Sequence, residues 1–222
     1  MSAGPRVCVL HTVTSLPAVF EPLVRRHAPA ARPYHVVDES LLADTIDHGP
    51  LPRTADRLAA YVSHAEAAGA DAVLVTCSSI GQAAEQARAH VSIPVLRVDD
   101  PMAEQAVDRG RRIAVLATLA STLVPTAHLV RRKAEDAGKA VTVTTSTCPG
   151  AYEARVAGRT DAHDQRIAAE AVRLAAGHDV LVLAQASMAT ALERLSQDDL
   201  PVPVLTSPES GAAQLARLAG AR

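Results

Sequence analysis

Short apolar runs alternate with longer amphipathic stretches along the whole chain. Residues 6–11, 34–38, 72–75, 93–98, 112–117, 141–145, 180–183 and 202–205 read as strands, and 6–11 and 72–75 are apolar runs. Continuous rather than alternating apolar character predicts strands buried on both faces, as in a parallel sheet. The stretches between them carry helix signals. Val19, Leu23 and Val24 are spaced to face a core, and Ser15 with Pro17 opens their helix. Thr54, Asp100-Pro101, Thr160 and Ser207-Pro208 predict further helix starts, and Gly69, Gly138 and Gly177 predict stops. A helix is also expected from about 79 to 90, from 121 to 137, and from near Ser187. Two stretches, 41–53 and 146–161, hold His48-Gly49-Pro50 with Pro52 and Cys148-Pro149-Gly150 with Gly158. They read as long irregular loops covering a site.

The pattern occurs twice. RVCVLHT from Arg6 matches RIAVLAT from Arg112, an offset of 106. DAVLVTCSS from Asp71 matches DVLVLAQAS from Asp179, an offset of 108, and IPVLRVDDPMAEQA from Ile93 matches VPVLTSPESGAAQL from Val202, an offset of 109. Three segments in one order at nearly one offset imply two similar halves. Repeated strand–helix units fix the class as α/β with mostly parallel strands. Periodicity alone leaves two arrangements open, an eight-fold barrel or two small doubly wound domains.

The strand ends carry the candidate chemistry. Thr76-Cys77-Ser78-Ser79 falls where a buried strand hands over to a helix. Free N–H groups and the helix dipole there favour a thiolate on Cys77, and Ser78 and Ser79 can cap the helix or hold an anion. In the second half Gln185 stands where Cys77 stands in the first. His11 ends the first strand and points either into a site or into the core. Cys148, in the second presumed loop, is available as a further acid, whereas Cys8 is mid-strand and reads as packing. Asp38-Glu39 and His163-Asp164 read as solvated or helix-start charges. No Gly-rich nucleotide fingerprint and no metal-ligand cluster occurs.

Composition narrows the partners. Hydrophobic residues make up 48% of the 222 and charged ones 21%, which suits a globular chain with a substantial core. There is no Trp and one Phe, so the core is aliphatic and stacking on nucleic-acid bases is not supported. A net charge of −2 without a basic run argues against a nucleic-acid partner. No apolar stretch has the length of a membrane span, and the chain enters its first strand at once without a secretory h-region. A cytoplasmic location is therefore expected. Three widely spaced cysteines suggest neither a disulfide framework nor a zinc site.

The TCSS turn within 73–80, the LHT and LAT strand ends, and the twice-used PVL strand followed by a helix resemble the aspartate/glutamate/hydantoin racemase superfamily over nearly the whole chain. The resemblance implies two pseudo-symmetric α/β domains, each with a four-stranded, mostly parallel sheet flanked by helices, and an active site in the cleft between them. It implies domains at 1–98 plus 207–222 and at 99–206, the last helix returning to the first domain. It also implies a cofactor-independent homo-oligomer acting on a small carboxylate. Cys77 matches the first family cysteine, and Ser78 and Ser79 match polar residues that hold the substrate carboxylate. Thr12, Thr118, Ser121, Thr122 and Ser187 fall at the other turns where the family binds carboxylate oxygens.

The departure is Gln185, where the resemblance expects a second cysteine. Two-base racemisation needs a titrating group on each face of the α-carbon, and glutamine has no accessible titration. It can orient a substrate or donate to an enediolate. A one-cysteine site fits one-sided chemistry, as in the related arylmalonate decarboxylases, whose cysteine resembles the second position. In maleate isomerases the first cysteine attacks a double bond. The expectations are an enzyme with one catalytic cysteine, as racemase, isomerase or decarboxylase, or alternatively a catalytically inactive small-carboxylate-binding protein of the same fold.

Overall fold

The computed structural model describes residues 4–196 and 198–220. Its first strands and helices are β1 (Arg6–His11), α1 (Leu16–His27), β2 (Arg32–Val37), α2 (Glu39–His48), α3 (Pro52–Ala67), β3 (Ala72–Val75), α4 (Gly81–Ala87), β4 (Val95–Arg97) and α5 (Asp100–Arg109). Then come β5 (Arg112–Ala117), α6 (Ala120–Asp136), β6 (Thr142–Thr147), α7 (Ala151–Val156), α8 (Thr160–Ala175), β7 (Val180–Leu183), β8 (Val204–Thr206) and α9 (Ser207–Ala213). The strands form two parallel sheets with the orders β2-β1-β3-β4 and β6-β5-β7-β8. The chain divides into two units, Met1–Asp100 with Pro208–Arg222, and Pro101–Ser207. Among the described residues no helix is long and apolar enough to cross a membrane.

The inner strands β1, β3, β5 and β7 are buried on both faces, which is why they read as apolar runs, whereas the edge strands β2 and β6 are more polar and more exposed. In the second unit Ile113, Val115 and Ala117 pack with Met102 of α5 and Val130 of α6. The alternate residues Ala114 and Leu116 pack with Ile167 of α8 and Leu181 and Leu183 of β7. That period-2 division is the geometry of a strand with two buried faces. In the first unit Cys8 and Leu10 pack with Leu41, Leu58 and Val62 from α2 and α3. An aspartate repeats at the base of each sheet. Asp71 accepts a hydrogen bond from the Arg6 N–H at 2.7 Å, and Asp179 accepts from the Arg111 and Arg112 N–H groups at 3.0 and 2.9 Å.

The last helix packs within the first unit. Gln214 Nε2 donates to the Arg97 carbonyl at 2.8 Å, and a Cβ on Gly211 would lie 2.6 Å from the Val98 carbonyl oxygen. Only a glycine allows that approach.

Both expected loops are instead largely helical. Within 41–53, α2 runs to His48 and α3 begins at Pro52. Asp38 caps α2 by accepting from the Ser40 N–H, Leu41 and Thr45 bury one face four residues apart, and Pro52 occupies a first-turn position that needs no N–H donor. Within 146–161, β6 extends to Thr147 and α7 follows Gly150, which takes the left-handed conformation at φ 72° that opens it. The Gly and Pro residues that suggested loops are punctuation between short elements. Thr54 and Thr160 are not caps: α3 and α8 are preceded by Leu51 and Arg159, and both threonines lie in the first turn. The stretch after Gln185 is a 3-10 helix, Ala186–Arg194, and the chain beyond α9 continues as a second one, Gln214–Gly220.

Candidate active site

Parallel strands carry their chemistry at their C-terminal ends, where backbone partners run out. In the first unit the last rung between β1 and β3 is the Thr76 N–H donating to the Leu10 carbonyl at 3.0 Å. Beyond it lie His11-Thr12 on one side and Thr76-Cys77 on the other. Cys77 keeps extended backbone (φ −121°, ψ 113°) and precedes a short 3-10 turn, Ser78–Ile80. Its side chain is half-buried, and the groups near enough to favour its thiolate are the Thr12 and Ser79 hydroxyls and the N–H groups of Ser79 and Ile80. Burial pushes the thiol above its ordinary value of 9.0, and those four donors pull the other way by favouring the thiolate. Thr12 is buried, and its hydroxyl has no hydrogen-bond partner. Ser78 is buried behind the cysteine.

Gly81 follows this turn because an ion-paired guanidinium passes beneath it. A Cβ there would lie 2.3 Å from Cζ of Arg97. Arg97 is 3% exposed and donates to Asp99 at 2.9 and 2.8 Å and to Glu85 at 2.6 Å. Burial alone would lower the guanidinium's pKa, but the two carboxylates raise it above its usual range. This buried cluster fixes the end of β4 against α4.

The second unit repeats the geometry with different atoms. The Ala184 N–H donates to the Leu116 carbonyl at 2.9 Å, and beyond that rung Thr118 faces Gln185. Gln185 Oε1 accepts from the Thr118 N–H at 2.6 Å and from its hydroxyl at 2.8 Å. Because an N–H can only donate, the facing atom is the amide oxygen. Among the described residues Nε2, with its two hydrogens, makes no protein hydrogen bond. Ser121, whose buried hydroxyl has no partner, and Thr122 lie in the first turn of α6, and half-buried Ser187 lies in the 3-10 helix after Gln185.

Two sequence candidates lie elsewhere. Cys148 is 2% exposed and packs with Leu116, Ala151 and Ile167, so it is a core residue of the second unit and not a mobile loop thiol. Burial, with the charge of Glu170, pushes its thiol up to about 12. His11 turns into the first unit: it is fully buried, with Nδ1 2.9 Å from the Thr76 hydroxyl and Nε2 2.8 Å from His35 Nδ1. His163, read as a helix-start charge, is also fully buried, 2.7 Å from the Asp164 carboxylate. His35 and Glu21 were not legible as part of the site. The one signal for His35 is a polar residue in the second strand, and nothing in the sequence pairs it with His11.

Among the described residues no three His, Cys, Asp or Glu side chains gather as a metal-ion group. A sequence profile described as Asp/Glu/Hydantoin racemase matches residues 10–215. No curated protein matches the chain in sequence. The structure is similar to that of glutamate racemase isoform RacE1 from Bacillus anthracis, with a TM-score of 0.73 and 18% identity over 98% of this chain and 82% of that one. It is similar to a putative Asp/Glu racemase from Yersinia pestis, with a TM-score of 0.74 and 16% identity over 97% and 99% of the two chains. Allantoin racemase from Klebsiella pneumoniae gives 0.68 and 17% identity over 96% and 86%.

Proposed function

The chain belongs to the Asp/Glu/hydantoin racemase family, and from that premise we propose that it is a cofactor-independent enzyme acting on a small carboxylic acid, with Cys77 as its one reacting thiol. The observation that carries this is the place of Cys77: it stands in extended backbone just past the last rung between β1 and β3, opens the Ser78–Ile80 turn, and is half-buried where Cys8 and Cys148 are buried in the core. A thiol at a strand end beside a free-N–H turn is placed to give and take a proton, whereas a packing cysteine sits in mid-strand or in the core.

In the reaction the Cys77 thiolate removes the α-proton from the substrate and becomes a thiol. The electron pair left on the α-carbon delocalises into the carboxylate as an enediolate. The same thiol then returns a proton to that carbon. If the α-carbon carries a second carboxyl group, loss of CO₂ gives the same enediolate, and the Cys77 thiol protonates it. Burial favours the neutral thiol in the resting protein, which suits the protonating half of either sequence. Gln185, with Oε1 held by Thr118, offers Nε2–H to a carboxylate or enediolate oxygen. Ser78, Ser79, Ser121, Thr122 and Ser187 add hydroxyls for the remaining oxygens. Glutamine exchanges no proton at neutral pH, so the chemistry is one-sided: α-proton exchange or decarboxylation, with racemisation slower than exchange.

Proton NMR in D₂O tests the proposal, using purified protein and a panel of small chiral α-substituted and malonate-type acids. Deuterium entering the α-position, with or without loss of CO₂, supports it and names the substrate class. A second reading, an inactive carboxylate-binding protein of this fold, is favoured by the absence of a titrating group at Gln185. Ligands that raise the melting temperature while no panel member exchanges would establish that reading instead.

A further inference from the structure

A chain of hydrogen bonds runs from the surface of the first unit to the residue beside Cys77. Glu21 of α1 and His35 of β2, with side chains 32% and 20% exposed, meet at 2.9 Å through His35 Nε2. His35 Nδ1 lies 2.8 Å from His11 Nε2, and the two rings stack with centroids 5.1 Å apart. His11 Nδ1 lies 2.9 Å from the Thr76 hydroxyl, which is also 3.1 Å from the Leu10 carbonyl oxygen. The Thr76 oxygen therefore stands within reach of two acceptors and has one proton to give.

With Glu21 ionised and His11 neutral, two donor patterns join the chain from Glu21 to Thr76. In the first, both histidines are neutral: the Thr76 O–H donates to His11 Nδ1, His11 Nε2–H donates to His35 Nδ1, and His35 Nε2–H donates to Glu21. In the second, the histidine pair holds one proton more. His35 then donates from both nitrogens, His11 accepts at Nε2 and donates from Nδ1 to the Thr76 oxygen, and the Thr76 O–H turns to the Leu10 carbonyl. No other protonation of His11 fits, because burial strongly disfavours its cation.

We infer that Glu21, His35 and His11 form a positioning relay for Cys77: they tie the ends of β1 and β3 together through Thr76, and the donor pattern along the chain sets the direction of that tie. Thr12 follows His11 and Cys77 follows Thr76, so the His11–Thr76 contact is the first tie beyond the last backbone rung, and it sets the spacing of the Thr12 hydroxyl from the thiol. The inference rests on the proposed role of Cys77 but is read from the thiol alone.

The other groups around the relay are accounted for. Arg25 of α1 donates to Glu21 at 2.7 Å and helps keep it ionised, and the Phe20 ring lies 5.7 Å from the His11 ring. Asp38 follows β2, but its carboxylate is bound by Ser40, Tyr61 and Arg57. Arg26, His27 and Glu209 form a separate cluster at the end of α1.

The test is the pH dependence of Cys77 alkylation by iodoacetamide, followed by mass spectrometry in the intact protein without substrate. Thr76→Val, which cuts the tie beside Cys77, is expected to move the midpoint of the curve to higher pH, because the Thr12 hydroxyl is no longer held near the thiol. His35→Gln and Glu21→Gln, the second a surface change that leaves the core intact, are expected to move it in the same direction by smaller amounts. Curves superimposable on wild type in all three variants would overturn the relay, as would a Thr76→Val curve that stays in place or moves to lower pH. Neither result bears on catalysis, and a protein without turnover still gives the alkylation curves.

Discussion

Thr118 gives Gln185 two hydrogen bonds, from its N–H at 2.6 Å and its hydroxyl at 2.8 Å, both to the amide oxygen. The same strand-end position in the first unit is Thr12, whose hydroxyl has no hydrogen-bond partner and lies near enough to Cys77 to favour its thiolate. One repeat thus sets its threonine near a thiol, and the other sets it against an amide oxygen. Thr118→Val removes the hydroxyl and keeps the N–H. It is expected to lower kcat/KM about fivefold, from a net loss of about 1 kcal/mol. Gln185→Glu keeps both bonds from Thr118 but offers no donor to the substrate, so it is expected to raise KM more steeply. Steady-state kinetics on both variants checks the order.

Thr12→Val removes a donor that favours the Cys77 thiolate while keeping the shape of the side chain. The midpoint of Cys77 alkylation is expected to move to higher pH, and the rate at neutral pH to fall. Cys8 and Cys148, buried at 1% and 2% exposure, are expected to react only on unfolding. Peptide mapping after brief labelling distinguishes the three thiols.

Acid stability follows from His11. Burial, with the neighbouring His35, lowers its pKa from the ordinary 6.5 to about 3. The unfolded chain therefore binds a proton at His11 that the folded chain refuses. This contribution to stability is fully present above 6.5 and is lost as pH falls from 6.5 towards 3, amounting to on the order of 4 kcal/mol. Urea denaturation at a series of pH values is expected to show that fall, and His11→Gln to flatten it.

Asp99→Asn leaves the Arg97 guanidinium buried with only Glu85 to balance it. Breaking a buried pair from one side costs about 3–5 kcal/mol, so the urea midpoint is expected to drop sharply. Gly81→Ala, which forces a Cβ against the same guanidinium, is expected to act in the same direction. Chemical denaturation of the two single variants and the double variant measures whether their effects share this cluster.

The sheets were legible because the inner strands β1, β3, β5 and β7 are apolar runs buried on both faces, and the repeat was legible because the strand ends RVCVLHT and RIAVLAT face the same packing. The helices α2 and α7 were hidden by Gly49-Pro50, Pro52 and Pro149-Gly150. Those residues break the chain only between elements, and Leu41 with Thr45 gives too short a periodic signal to outweigh them. Cys77, Thr12 and Gln185 could be placed from strand ends alone. Cys148 could not, since its burial depends on α7 and α8 closing over it. His35 and Glu21 join His11 only through the packing of β2 and α1 against β1, a tertiary relation that residue spacing does not carry.

The most direct measurement is solvent deuterium entry at the α-carbon of the best substrate, run side by side with wild type and Cys77→Ser at equal concentration, with circular dichroism showing both folded. The account predicts that exchange or decarboxylation falls by about 10²–10⁴-fold in the variant, the contribution expected of a positioned acid–base group. It also predicts that a single enantiomer exchanges faster in wild type than it racemises. Equal rates in the two proteins would contradict the assignment of Cys77 as the reacting thiol.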